Sequence, residues 1–155
     1  MKRIILTAII SAVFIPAFAG DTQRTNLALH CAVFPSSGEG AEYAVDGVRK
    51  GSFHSSMISP KHFLEVDLGE VRHVDGIKVF FYWGDSRIYT FYVTGSADGK
   101  KWEMLADFRK HDIVSSANGY GKDFPAKKLR FVKVHVTGNT VNKASHIREI
   151  EIYGK

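Results

Sequence analysis

Residues 63–69 read FLEVDLG. Leu64, Val66 and Leu68 fall on one side of an extended chain and Glu65 and Asp67 on the other, because successive side chains of a strand point to opposite faces. The same period returns three times. In GIKVFFYW (76–83), Ile77, Val79 and Phe81 oppose Lys78, Phe80 and Tyr82; in RFVKVHV (130–136), Val132, Val134 and Val136 oppose Phe131, Lys133 and His135; in IREIEIYG (147–154), Ile150 and Ile152 oppose Glu149 and Glu151. Strands with one apolar face belong to antiparallel sheets packed together. Asp98-Gly99, flanked by FYVTGSA and KKWEML, predicts a tight hairpin. Helical periodicity is nearly absent, so the pattern predicts an all-β fold, a jelly-roll β-sandwich of about eight antiparallel strands whose end loops carry function.

The 155-residue chain opens MKRIILTAIISAVFIPAFAG. Lys2 and Arg3, an apolar run from Ile4 to Ile15, and Ala17-Phe18-Ala19 ahead of Gly20 predict a secretory signal peptide over 1–19, its apolar core too short to span a bilayer. Residues 20–155 then form one soluble domain in a periplasm or outside the cell, without internal repeat or linker. Removing 1–19 takes Lys2 and Arg3 and no acid, leaving 19 Lys+Arg against 16 Asp+Glu, a formal +3 in place of +5. That balance is too mild for a nucleic-acid binder and suits an acidic ligand met by converging cations. Cys31 is alone in the sequence, which excludes an internal disulfide, and ALHCAV predicts a buried, inert thiol.

No G-x-S-x-G, H-E-x-x-H or C-x-x-C is present, and His62, His73 and His111 lack metal-ligand spacing. Glu65 and Asp67 share one face of a strand, predicted to be solvated. The sequence predicts no enzyme. Sugars are bound by side chains of fixed geometry together with an aromatic ring under the apolar sugar face. The predicted loops supply both kinds: His54, Lys61, Trp83, Arg87, Tyr120, Asn142 and Lys143.

The order of motifs resembles a known family. NLAL near the mature start, A-x-x-A-V-D-G (Ala41, Ala44, Val45, Asp46, Gly47), FLEVDLG, the I-x-V-x-x-x-W ending at Trp83, FYVTGSADGKKW, FPAKKLRFVKV and REIEIYG are similar to the discoidin domain, the coagulation factor 5/8 C-terminal domain. Within that superfamily the chain resembles family 32 carbohydrate-binding modules, in particular the stand-alone periplasmic type that takes pectic oligogalacturonides. The resemblance implies a galactose-binding-like jelly roll with a structural calcium. Asp46 and Glu149 match its carboxylates, and the Val48 and Gly51 carbonyls complete it, Gly51 standing where a threonine is usual. It also places His54 where sugar-binding members carry a histidine. Met57 replaces their aromatic, and Phe81, Tyr82 or Trp83 stands in place of their arginine, a role that falls to Arg87.

Those exchanges weaken the stacking platform, while His54, Lys61, His62, Arg87, Arg109, Lys110 and Lys143 all lie in predicted loops. A charge-assisted hydrogen bond contributes roughly 1.5–3 kcal/mol against about 1 for a neutral hydroxyl contact. The expected ligand is therefore an acidic polysaccharide, oligo- or polygalacturonate from pectin, bound by a monomer at a shallow basic lip. The alternatives are a neutral galactose or N-acetylgalactosamine module and a protein- or envelope-interaction domain. The tips SSGEG, WGDSR and SANGYG are mostly polar, which disfavours membrane insertion.

Overall fold

A computed structural model describes residues 24–155; the predicted signal peptide lies outside the described residues. Eight strands form: β1 (Thr25–Asn26), β2 (Ala32–Pro35), β3 (His54–Met57), β4 (Leu64–Phe81), β5 (Tyr89–Ser96), β6 (Glu103–Phe108), β7 (Tyr120–Asn139) and β8 (Ala144–Gly154). One 3-10 turn, Ala41–Val45, precedes β3. Every pairing is antiparallel, in the order β1-β8-β4-β7-β5-β6, with β2 added to β4 and β3 to β8.

β4 and β7 are long because each serves both layers. Leu64–Asp67 pairs with Phe131–Val134 and with β2, whereas Gly76–Val79 pairs with Tyr120–Asp123 and with β8. The pairing slips between Asp67 and Arg72 and again between Val74 and Gly76. Such irregularities bend a sheet locally, and here they let the strands fold over one interior. Leu64, Val66, Phe91, Val93, Val132, Val134, Ile150 and Ile152 are all fully buried there. Each contributes roughly 1.5–3 kcal/mol by leaving water. The inward sets read from the sequence are the sets that pack.

The outward sets are less solvated than alternation predicts. Glu149 is 0% and Glu151 6% exposed, and Phe80 is fully buried. The segment after the 3-10 turn covers them: Arg49 pairs with Glu151 at 2.6 Å and lies 4.6 Å over the Phe80 ring. Glu65 and Asp67 are not freely solvated either, being paired with Lys133 at 3.0 Å and Arg130 at 2.7 Å. The β5–β6 hairpin exists, but its connection runs over six residues, 97–102, and is not a tight two-residue turn. The Asp98 carboxylate accepts from the Lys100 and Lys101 amides and the Ser96 hydroxyl from those of Asp98 and Gly99, so side chains, not ladder pairing, satisfy this loop. Cys31 is half-buried instead of enclosed; its Sγ donates to the Leu27 carbonyl at 3.1 Å, and burial raises its pKa.

Candidate functional site

Opposite the end of β4, β8 carries one residue too many. Phe80 pairs with Glu149 and Phe81 with Ile147, so Arg148 has no partner in the ladder. A bulge of this kind re-aims a side chain. The Arg148 guanidinium lies 5.0 Å from the Tyr82 ring centroid and 4.4 Å from that of Trp83. Arg87, entering β5, approaches the same Tyr82 ring at 4.9 Å. The connection between them turns sharply, with Gly84 at φ 128° and Ser86 at φ 56°.

Arg87 is anchored. Its Nε donates to Asp85 at 2.8 Å, and one Nη donates to the Tyr89 hydroxyl at 3.3 Å and to His146 Nδ1 at 3.2 Å. The Tyr89 hydroxyl donates to that same Nδ1 at 2.8 Å. Two donors on Nδ1 leave the imidazole proton on Nε2. Burial, followed by the Arg87 charge, lowers the His146 pKa from its ordinary value. Phe53 closes the group, edge-on to His146 at 5.3 Å and to Tyr82 at 6.3 Å. Arg148 is different: only 8% exposed, it makes no ion pair among the described residues, and its Nε is buried without a hydrogen-bond partner.

The residues expected to bind sugar divide three ways. Trp83 and Arg87 join this cluster. His54 and Tyr120 are not in loops: each opens a strand and is buried, 0% and 3% exposed. His54 Nδ1 donates to the Glu39 carbonyl at 2.9 Å, its ring stacks on His62, and Tyr120 donates to the Ile113 carbonyl at 3.0 Å. Lys61, Asn142 and Lys143 are exposed elsewhere, around the turn 58–62; the Lys143 carbonyl accepts from the Ile58 amide at 2.9 Å. The loop cations do not gather into one lip. His62 is 2% exposed, and Arg109 is tied to Asp107 and lies over Tyr92. Outside the three polar tips, Ile113, Val114 and Val141 are 46–54% exposed in neighbouring loops.

Of the expected calcium residues, Asp46 and Glu149 lie near one another. The Gly47 amide donates to Glu149 Oε2 at 3.1 Å, which ties the loop beginning at Asp46 to β8, and Asp46 Oδ1 accepts from Val48 at 2.7 Å. Gly47 has φ 82°, and a Cβ there would meet Leu29 at 3.0 Å, so glycine is needed for the amide to face the carboxylate. Glu149 Oε1 is buried with no partner, and burial, with Asp46 a smaller contributor, pushes its pKa up to about 8. No group of three or more His, Cys, Asp or Glu side chains clusters for a metal among the described residues.

A groove of about 1130 Å³ lies apart, bordered by Arg24, Arg49, Lys78, Lys122 and Tyr153. Its arginines are already neutralised, Arg24 by Asp75 and Asp123 and Arg49 by Glu151. Lys78 and Lys122 make no ion pair among the described residues, but the groove has no buried, unmatched guanidinium such as that of Arg148 among them, which favours the loop-end cluster as the site.

The family model for the F5/8 type C domain matches residues 30–150, most of the chain. The chain belongs to the F5/8 type C (discoidin) family. This F5/8 type C domain is similar to the family 32 carbohydrate-binding module of AlyQ, solved in complex with 4,5-unsaturated mannuronic acid: 25% identity, TM-score 0.67, 80% of this chain and 95% of that one. It is also similar to part of a family 89 glycoside hydrolase from Clostridium perfringens, at 25% identity and TM-score 0.72 over 83% of this chain and 14% of that one. A pectin-binding carbohydrate-binding module, 23% identical, shares the fold at TM-score 0.68 over 81% of this chain and 91% of that one. Among curated proteins, BTB/POZ domain-containing protein 9 of Drosophila melanogaster and of Homo sapiens are each 31% identical, over 86 and 88 residues. Those matches cover 56% and 57% of this chain but only 12% and 14% of the relatives' own length. No helix among the described residues is long and apolar enough to cross a membrane.

Within the F5/8 type C domain, the sequence pointed to Trp83 and Arg87 but not to Arg148, Tyr82 or His146. The signal available for Arg148 was the spacing of isoleucines in IREIEI, where Ile147 and Ile150 are both inward and are separated by two residues instead of one.

Proposed function

We propose that this domain is a non-catalytic carbohydrate-binding module that takes uronate-containing glycans, galacturonate of pectin fragments foremost, at the Tyr82, Trp83, Arg87, His146 and Arg148 cluster. Arg148 carries the reading. A guanidinium 8% exposed, laid over two aromatic rings and paired with no acid among the described residues, lacks the partner that a sugar carboxylate supplies. Half-buried Trp83 offers a face to the pyranose, and His146 Nε2–H is a donor for a hydroxyl. Asp85 is committed to Arg87 and is not free to act as a base. The AlyQ module, similar over nearly its whole length, is in complex with a uronic acid, which supports the ligand class.

Calcium is part of the same reading. Asp46 and Glu149 would supply hard carboxylate oxygens of the kind calcium takes, with the Val48 and Gly51 carbonyls of the same loop as further donors, and the orphaned Glu149 Oε1 is an atom such an ion would satisfy. An ion held there would supply charge compensation and stiffness to the loop, not chemistry. The signal-peptide reading adds that the domain works, as a monomer, in a periplasm or outside the cell. Affinity electrophoresis tests the ligand: galacturonan is expected to retard the protein and neutral galactan is not, with retardation lost in Arg148→Ala. Equal retardation by both polymers, or by neither, removes the uronate assignment.

A further inference from the structure

A second concavity sits on the outer face of β5 and β7, away from the Arg148 cluster. It measures about 240 Å³ and is lined by Ser59, Pro60, His62, Tyr92, His135 and Thr137 among others. Three features mark it as built. Tyr92 and His135 are cross-strand partners whose rings stack at 4.3 Å and 4°, and Thr94 holds His135 Nε2 at 3.1 Å. Arg109 lies over Tyr92 at 5.1 Å. His62, 2% exposed, leaves its Nε2 with no hydrogen-bond partner, and its Nδ1 has only a 3.5 Å contact with the Ser36 hydroxyl. A buried polar atom left unmatched calls for a partner. The neighbouring His54 Nε2, in a ring stacked 6.1 Å from that of His62, is likewise unmatched.

We propose that this pocket is a second saccharide subsite, for a single hexopyranose ring, flanked by Lys61 where the sugar carries a carboxylate. Drug-sized ligands occupy about 300–1,000 Å³, so 240 Å³ suits one ring and no more. The lining matches a sugar's two faces: His135, backed by Tyr92, and Pro60 for its C–H surface, and the Ser59 and Thr137 hydroxyls with the His62 imidazole for its hydroxyl groups. Burial lowers the pKa of His62 and of His135, so both imidazoles are neutral at pH 7, able to donate and accept. β3 separates the two sites: Phe53, just before it, meets His146 of the loop-end cluster, whereas His54 turns inward to His62. The ligand class rests on the carbohydrate-binding reading; the pocket's geometry is independent of it.

The test is a nitrogen-15 imidazole NMR titration of the full mature chain with galacturonic acid and, separately, galactose. Three proteins are compared: wild type, Trp83→Ala/Arg148→Ala, and Thr137→Tyr, which fills the pocket from an exposed position. Saturable shifts of His62 and His135 are expected in wild type and in the loop-end double variant, with affinity at least 10-fold weaker in Thr137→Tyr. Shifts with both sugars assign a neutral ring contact, and shifts with the acid alone assign the Lys61 flank; either supports the subsite. Absence of His62 and His135 shifts while the Trp83 indole responds overturns the subsite and leaves the loop-end reading intact. Pocket shifts without any Trp83 response do the reverse.

Discussion

Among the described residues, one guanidinium nitrogen of Arg148 has no hydrogen-bond partner. Its Nε is buried without a partner while the rest of the head lies on Tyr82 and Trp83, and an unsatisfied buried donor costs about 1–3 kcal/mol. Removing the side chain therefore relieves a local penalty while deleting the anion's partner. Arg148→Ala is expected to keep the fold, with a melting temperature equal to or above wild type, and to weaken galacturonate binding by about 10- to 100-fold, the equivalent of 1.4–2.8 kcal/mol. Calorimetric titration checks it. Arg148→Lys is expected to recover only part of the loss, because an ammonium cannot reproduce a planar fork stacked on rings. Unchanged affinity in Arg148→Ala would move the site elsewhere. His54 shows the opposite case: it looked like a contact residue from its place after Phe53, yet sits inward. Which face of a strand a residue takes depends on where the strand begins, and no single residue reports that.

At the scale of the element, the bulge in β8 decides the site. Were β8 regular, Phe81, Phe80 and Val79 would face Ile147, Glu149 and Ile150 in plain alternation; Arg148 is the extra residue. Deleting Arg148 is thus expected to give a straighter strand with every inward side chain in place. The deletion protein should melt within a few degrees of wild type and bind no galacturonate. Collapse of its melting transition would mean that the bulge itself supports the sheet. The loop from Asp46 to Gly51 is the second deciding element, docked on β8 through Gly47 and Arg49. A cation satisfying Glu149 Oε1 stabilises that docking by mass action, by about 2.7 kcal/mol at a hundredfold excess over its dissociation constant. Calcium is expected to raise the melting temperature of wild type in a concentration-dependent way and to leave Glu149→Gln unmoved. An equal rise in both proteins would remove Glu149 from the ion's ligands.

Across the whole molecule, imidazoles link stability to pH. His54, His62 and His135 have folded pKa values below the ordinary histidine value, chiefly through burial, and His135 falls from 6.5 to about 4. Unfolding lets each take a proton near pH 6.5, so the unfolded state binds more protons below that point. The stability they contribute is complete above pH 6.5 and is lost as pH falls from there toward 4. For His135 alone the loss is on the order of 3 kcal/mol, at about 1.4 per pKa unit. Glu149, its pKa pushed up to about 8, acts in the opposite sense over the same interval, so the imidazole contribution is read as a difference: in urea unfolding between pH 7.5 and 4.5, the stability of wild type relative to His135→Gln should fall as pH drops below 6.5. A pH-independent difference between the two proteins would mean that the His135 ring is solvated.

The sequence by itself determined the sandwich and its inward faces. Leu64, Val66, Ile77, Val79, Phe81, Val132, Val134, Val136, Ile150 and Ile152 are all in the core, because period-two alternation is a local property and burial of one face follows from it directly. The order of motifs also determined the family, and placed Asp46 next to Glu149. Only the tertiary structure decided what the outward faces do. Glu149, Glu151 and Phe80 are covered by a loop some hundred residues away from the first two, and the predicted cations are distributed over several surfaces while an arginine not singled out is brought onto two rings by a bulge. Alternation states that a side chain points away from the core; what it then meets is set by distant segments and by register slips, neither of which leaves a local mark in the chain.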